Sequence, residues 1–131
     1  MPIAGCEILT AYAEFTPLLE AGIAITQGGT CRMGISDCDR LATRSGELGR
    51  RFVPYGFVST LYSTAANIQV CAAHDNVPVA EHTPPAIYPH MIMRGALATP
   101  EPPIVDGAFV LPGGPGLGLE LDEDALARFR V

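Results

Sequence analysis

Two carboxylates in this chain stand directly after short apolar runs. Glu7 closes the run from Pro2 to Cys6, and Glu81, with His82 beside it, closes the run from Val77 to Ala80. A carboxylate so placed can ligate a hard divalent cation or exchange a proton with a substrate. Read from the residues alone, Glu7 is an exposed acid at a strand end and Glu81 a loop acid. Between them lie Gly28-Gly29-Thr30, after the run from Ile23 to Gln27, and Tyr55, which ends the run from Phe52. The glycine pair lacks the G-x-x-x-x-G-K-[ST] pattern of a phosphate cradle, so a plain turn is expected there. Tyr55 starts from a reference pKa of roughly 10 and is a poor base unless strongly perturbed. His74, His82 and His90 recur every eighth residue, a spacing that suits neither one helical face nor a compact ligand set. Cys6, Cys31, Cys38 and Cys71 show no C-x-x-C spacing, so neither a zinc site nor a disulfide framework is implied, and reduced apolar fillers are expected.

The elements that must position these residues alternate. Pro2 to Cys6 reads as a strand, followed by a helix that Thr10 caps, with Phe15, Leu18 and Leu19 on its apolar face, Pro17 awkwardly inside and Gly22 as its stop. Ile23 to Gln27 reads as a second strand. Ser36, with Asp39 three residues on, predicts the start of a second helix carrying Cys38, Leu41, Ala42, Ser45 and Leu48 at helical spacing and closed by Gly49. A third strand, Phe52 to Tyr55, precedes Ser59 and a helix through Ala73, and Val77 to Ala80 predicts a fourth strand. Residues 83–103 are Pro-rich and loop-like, with one short helix at Met91 to Leu97, whose Met91 and Met93 read as packing residues. Asp106-Gly107, between Ile104 and Leu111, is a hairpin signal. A last helix has Asp122, Glu123 and Asp124 at its positive end and Arg128 and Arg130 at its negative end. Alternation of this kind implies parallel strands joined by right-handed crossovers, hence an α/β fold.

With 131 residues, 48% hydrophobic and 17% charged, the chain is expected to fold as one domain and lacks the signature of disorder. A net charge of −6 without a run of Lys or Arg argues against nucleic acid or an anionic membrane as partner. The first residues lack a basic leader region, and no long apolar window follows, so a cytoplasmic protein is expected.

Taken in order, these features resemble the last four strand and helix units of the barrel domain of the mandelate racemase and muconate lactonizing branch of the enolase superfamily, followed by its tail. The tail is the most specific part: Val105-Asp106-Gly107 to Leu111-Pro112, then Pro115-Gly116-Leu117-Gly118-Leu119-Glu120-Leu121-Asp122-Glu123. Pro2-Ile3-Ala4-Gly5-Cys6-Glu7 is similar to the family's fifth strand, which ends in Gly-Glu.

The resemblance implies the C-terminal half of a (β/α)₈ barrel of the TIM type. Residues 1–82 would supply four units' strands and the intervening helices, and residues 83–131 the Pro-rich loop, hairpin and terminal helix. It places chemistry at the C-terminal ends of the strands, hence at Glu7, Gly28 and Gly29, Tyr55, and Glu81 with His82. The implied reaction removes the proton next to a carboxylate in a small acid-sugar substrate, with Mg²⁺ as the family's metal, as in a dehydratase or racemase. Glu7 matches the third metal carboxylate, and Glu81 the eighth-strand Glu that hydrogen-bonds the developing enediolate. Tyr55 is the remaining catalytic candidate, and Gly29 and His82 are substrate-binding candidates. The other two metal ligands and the Lys base belong to strands upstream of Met1, so the chain alone is expected to be inactive. Members with a His-Asp dyad carry Pro-Asp where this chain has Gly28-Gly29, and His where it has Tyr55. A non-catalytic or partner-binding half barrel is therefore the alternative, with association through its open edges or with a missing N-terminal half. A free-standing α/β binding module is a third reading, which strand order decides.

Overall fold

A computed structural model describes residues 1–57, 60–84, 87 and 92–130. Strand β1 (Ala4–Gly5) leads to helix α1 (Tyr12–Glu20), β2 (Ile25–Thr26) to α2 (Thr30–Glu47), and β3 (Arg51–Phe52) to α3 (Leu61–Ala73). The three strands are parallel and lie in the order β1-β2-β3, with Ala4 beside Ile25 beside Arg51 and Gly5 beside Thr26 beside Phe52. This order is the one a barrel wall requires, each unit adding the next strand on the same side.

Burial alternates with the pleat. Thr26 and Phe52 are fully buried under the helices, whereas Ile25 is half-buried and Ala4 and Arg51 are exposed on the opposite face. The core lies between sheet and helices and joins Phe15 and Leu19 of α1, Cys38, Leu41 and Ala42 of α2, Phe52, Val70 of α3 and Val77. Burial of Cys38 pushes its thiol up to about 12, so it should resist alkylation while exposed Cys31 reacts, as counting labelled cysteines by mass would show.

The expected fourth strand is not formed as one. Residues 76–81 run beside β3 and, among the described residues, are tied to it by backbone bonds at their two ends, where Phe52 N–H donates to the Asn76 carbonyl (3.2 Å) and Glu81 N–H to the Pro54 carbonyl (3.4 Å). Pro54 and Pro78 bring no N–H, so ladder bonds between those points lack donors.

Other expectations shift by a few residues. Ala11, not Thr10, is the N-cap of α1, and the Glu14 carboxylate accepts the N–H groups of Thr10 (2.8 Å) and Ala11 (2.9 Å). The helix runs through Pro17 and ends at Glu20, before Gly22 at φ 96°. Helix α2 adds a turn from Thr30 ahead of the expected start at Ser36. Its first turn is broken at Gly34 (φ 77°), and the longer run follows that kink. The expected start at Ser59, together with His90 and Met91, lies outside the described residues, as does the Met93 side chain. Thr60 caps α3 by accepting the Ser63 N–H (3.3 Å), and Thr60→Ala should cost about 1 kcal/mol in urea unfolding.

The tail follows its pattern. Helix α4 (Ile92–Leu97) leads into β4 (Ala98–Thr99), and β5 (Ile104–Val105) pairs antiparallel with β6 (Ala108–Phe109) around Asp106 (φ 51°) and Gly107 (φ 79°). Strand β7 (Glu120–Leu121) pairs antiparallel with β4, a contact without a short-range signal in the sequence. Helix α5 (Glu123–Arg128) is capped by Asp122, whose Oδ1 accepts the Ala125 N–H (2.7 Å). No helix among the described residues is long and apolar enough to cross a membrane.

Candidate functional site

The C-terminal ends of the parallel strands gather three of the five candidate residues. After β3 the ladder continues past the assigned strands, because Tyr55 N–H donates to the Gly28 carbonyl (2.9 Å). Gly29 therefore lies against Tyr55 so closely that a Cβ there would stand 2.8 Å from the Tyr55 carbonyl oxygen. On the next side Gly56 N–H donates to Glu81 Oε2 (2.9 Å), and the Gly56 backbone packs on the Glu81 carbonyl. Glycine at these two places allows neighbouring backbones to approach closer than any side chain permits. Gly29, Tyr55 and Glu81 thus form one rim. The Arg32 guanidinium, from the first turn of α2, lies over the Tyr55 ring at 5.6 Å from its centroid.

Asn67 of α3 holds this rim from below. Buried to 2% exposure, it accepts the Thr30 N–H (3.1 Å) and hydroxyl (2.8 Å) on Oδ1 and donates Nδ2 to the Tyr55 carbonyl (2.9 Å). It ties the loop after β2 to the loop after β3. Nothing in the sequence marked Asn67, since an amide inside a helix pattern usually reads as a surface residue. Asn67→Ala strips partners from buried backbone groups in both loops. It should cost about 2 kcal/mol in urea unfolding, with Asn67→Asp recovering the acceptor half only.

Glu7 stands apart from the rim. It follows β1 at the opposite margin of the sheet, half-buried, on a turn closed by Leu9 N–H to the Cys6 carbonyl (3.2 Å). Cys6 there has φ 86°, and burial followed by the Glu7 charge pushes its thiol pKa up. Among the described residues no three His, Cys, Asp or Glu side chains gather to hold a metal ion. Mg²⁺ needs several oxygen ligands in near-octahedral array, so this chain's residues alone do not fit that ion.

His82 faces away from the rim, as neighbours on an extended segment do. Its ring meets Phe109 edge-on (centroids 5.2 Å apart), and its Nδ1 lies 3.4 Å from Arg94 Nη2. It borders an apolar cavity of about 460 Å³ between α3, residues 77–82 and the β5-β6 hairpin. His74 is occupied elsewhere, its Nε2 lying 2.8 Å from Asp39 Oδ1.

Comparison with known proteins matches this arrangement to one family. The family described as enolase C-terminal domain-like matches residues 1–125. A D-galactarolactone cycloisomerase from Agrobacterium fabrum is 31% identical over all of this chain and 36% of its own length. Among solved structures, a mandelate racemase/muconate lactonizing enzyme from a Jannaschia species superimposes with a TM-score of 0.85 at 28% identity, over 100% of this chain and 32% of its own. A member of the enolase superfamily from Agrobacterium tumefaciens gives a TM-score of 0.83 at 26% identity, over 97% of this chain and 32% of its own. The chain spans about a third of the length of these relatives.

Proposed function

The chain belongs to the enolase C-terminal domain-like family, and from that premise we propose that it forms the C-terminal wall of an enzyme that removes the proton next to a carboxylate in a small acid-sugar substrate. Its fold is the corresponding part of an α/β barrel. The relative that acts as a D-galactarolactone cycloisomerase supports an acid-sugar derivative as substrate class.

The observation that carries the reading is the hold on Glu81. Gly56 N–H fixes Oε2, while the other carboxyl oxygen has no partner among the described residues, at the strand end next to the one that carries Tyr55. In its protonated form such a carboxyl donates a hydrogen bond to the substrate oxygen that gains charge as the α-proton leaves. Tyr55, whose ring lies under the Arg32 cation, is the second candidate to touch substrate, and Gly29 lets the two loops that carry this rim close on each other. His82, turned toward the hairpin, contributes to the substrate side only through the segment it shares with Glu81. Glu7 is a metal ligand only where further carboxylates join it, and nothing proposed for Glu81 passes through the metal.

Joined to the N-terminal part of a homologous cycloisomerase, the chain is expected to support exchange of the α-proton of acid sugars with deuterated solvent, and to lose that exchange in Glu81→Gln. A joined, folded protein that exchanges no acid-sugar proton overturns the reading.

A second reading, a non-catalytic half barrel that associates with a partner or itself, is favoured by the uncovered β1–β3 face and by Val79, 59% exposed on the outermost segment. Apolar surface beside an incomplete strand edge promotes association. It predicts self-association in sedimentation velocity, and a stable, cooperatively unfolding monomer counts against it.

A further inference from the structure

Arg94 of α4 is the one charged side chain among the described residues that is almost wholly buried, at 4% exposure. Its Nη1 donates to the Thr83 carbonyl (3.0 Å), and its Nη2 lies 3.4 Å from His82 Nδ1 and 3.3 Å from Glu101 Oε1. Its Nε has no partner among the described residues. A guanidinium carries donors only, so a hydrogen bond between the two requires Nδ1 to offer a lone pair, as the neutral tautomer with its proton on Nε2 does. His82 and Thr83 follow Glu81 directly. The stretch 81–83 is thus gripped from two sides: by Pro54 and Gly56 at Glu81, and by Arg94 at the next two residues.

We propose that Arg94 is a positioning residue: by holding His82 Nδ1 and the Thr83 carbonyl it sets where the Glu81 carboxyl stands, and protonation of His82 undoes that hold. The meaning for catalysis rests on the reading of Glu81 given above, but the coupling itself does not. A proton on Nδ1 would set donor against donor and cation against cation at a buried place.

The groups that face His82 among the described residues agree with this. Arg94 comes from α4, Glu101 from the link between β4 and β5, and Phe109 from β6. Across the cavity stands Cys71 of α3, whose thiol burial pushes up to about 11, so that it stays neutral. Burial, followed by the Arg94 charge, pulls the His82 pKa below the ordinary imidazole value, with Glu101 pulling the other way. A histidine with a depressed folded-state pKa contributes stability that is full above its unfolded pKa of roughly 6.5 and is lost as pH falls through the folded value.

The test is nuclear magnetic resonance on the isotope-labelled chain, following the His82 ring and the Gly56 amide between about pH 5 and pH 8. In the wild type, His82 is expected to be the Nε2–H tautomer at neutral pH, and the Gly56 amide signal to move with the His82 titration. In His82→Asn, whose side-chain oxygen replaces the Nδ1 lone pair without titrating, the Gly56 signal should keep its neutral-pH position and lose that movement. In Arg94→Met the His82 titration should shift upward and Gly56 should move already at neutral pH, with Arg94→Lys restoring part of both. A Gly56 amide that ignores the His82 titration overturns the proposal, and the wild-type arm decides this even where Arg94→Met does not fold. So does a His82 titration unchanged by Arg94→Met. Neither readout needs turnover, so absence of proton exchange in the joined protein counts against the catalytic reading alone, and a silent Gly56 against this one alone.

Discussion

Gly56→Ala is expected to lower the stability of this chain by at least about 3 kcal/mol, visible as a large drop in the urea midpoint. A Cβ built at Gly56 would lie 2.1 Å from the Glu81 carbonyl oxygen and 2.9 Å from its carbon. Both atoms belong to backbone, so no side chain can turn aside. Relief must come from separating the segment after β3 from residues 77–81, which are held there by Phe52 to Asn76, Glu81 to Pro54, and Gly56 to the Glu81 carboxylate. Moving Gly56 breaks the last of these first. Gly95→Ala provides the control, because it lies inside α4 with open space around a new Cβ. There the substitution should stabilise by up to about 1 kcal/mol, since alanine loses less backbone freedom in a helix. Equal, small effects at both positions would mean that Gly56 and Glu81 do not meet in solution.

The contrast between these two glycines shows where sequence reasoning reaches and where it stops. Element order, the hairpin at Asp106-Gly107 and the cap at Asp122 were legible because each rests on local chemistry: a period of 3.6, positive φ at a turn, an acid at a helix start. The parallel sheet followed from alternation. The fourth strand was over-read because its apolar run counts the same whether or not Pro78 and its neighbour Pro54 supply donors. The long run of α2 after Gly34 starts beside Ser36, as its local pattern says, but the turn before it left no mark, since Thr30 is held by Asn67, a residue 37 positions away. The β4-β7 pairing also joins residues far apart in sequence and left no mark.

For the site, the positions at strand ends were legible through the family tail and the opening strand, yet their relations were not. Nothing in the spacing of Gly29, Tyr55 and Glu81 says that the first two touch while His82, adjacent to Glu81, turns to Phe109 and Arg94. That division follows from the pleat of residues 77–82 and from which buried group waits on each side. Arg94 itself was invisible, being one cation on the short helix expected at Met91 to Leu97, with nothing local to mark it as buried.

The second large effect concerns the base. The related pattern has Pro-Asp where this chain has Gly28-Gly29, so the obvious repair is Gly29→Asp, with Tyr55→His to rebuild a dyad. We expect this repair to fail, lowering stability by about 3 kcal/mol or more and giving the joined protein no added proton exchange. The new Cβ would lie 2.8 Å from the Tyr55 carbonyl oxygen and 3.2 Å from Tyr55 Cβ. That carbonyl cannot retreat, because Asn67 Nδ2 holds it at 2.9 Å and the Tyr55 N–H is bound to Gly28 at 2.9 Å. Position 28 differs in kind: there a Cβ meets the Met33 sulfur at 2.6 Å, the end of a flexible side chain that can move. A Gly29→Asp chain with an unchanged urea midpoint, or a Gly29→Asp/Tyr55→His protein that exchanges the α-proton faster than its parent, would sink this prediction. With the expected result, the backbone itself excludes an Asp at position 29, because the loops after β2 and β3 are closed on each other through Asn67. Recovering a base at this rim then requires reopening those loops, which a change of side chain at Gly29 does not do.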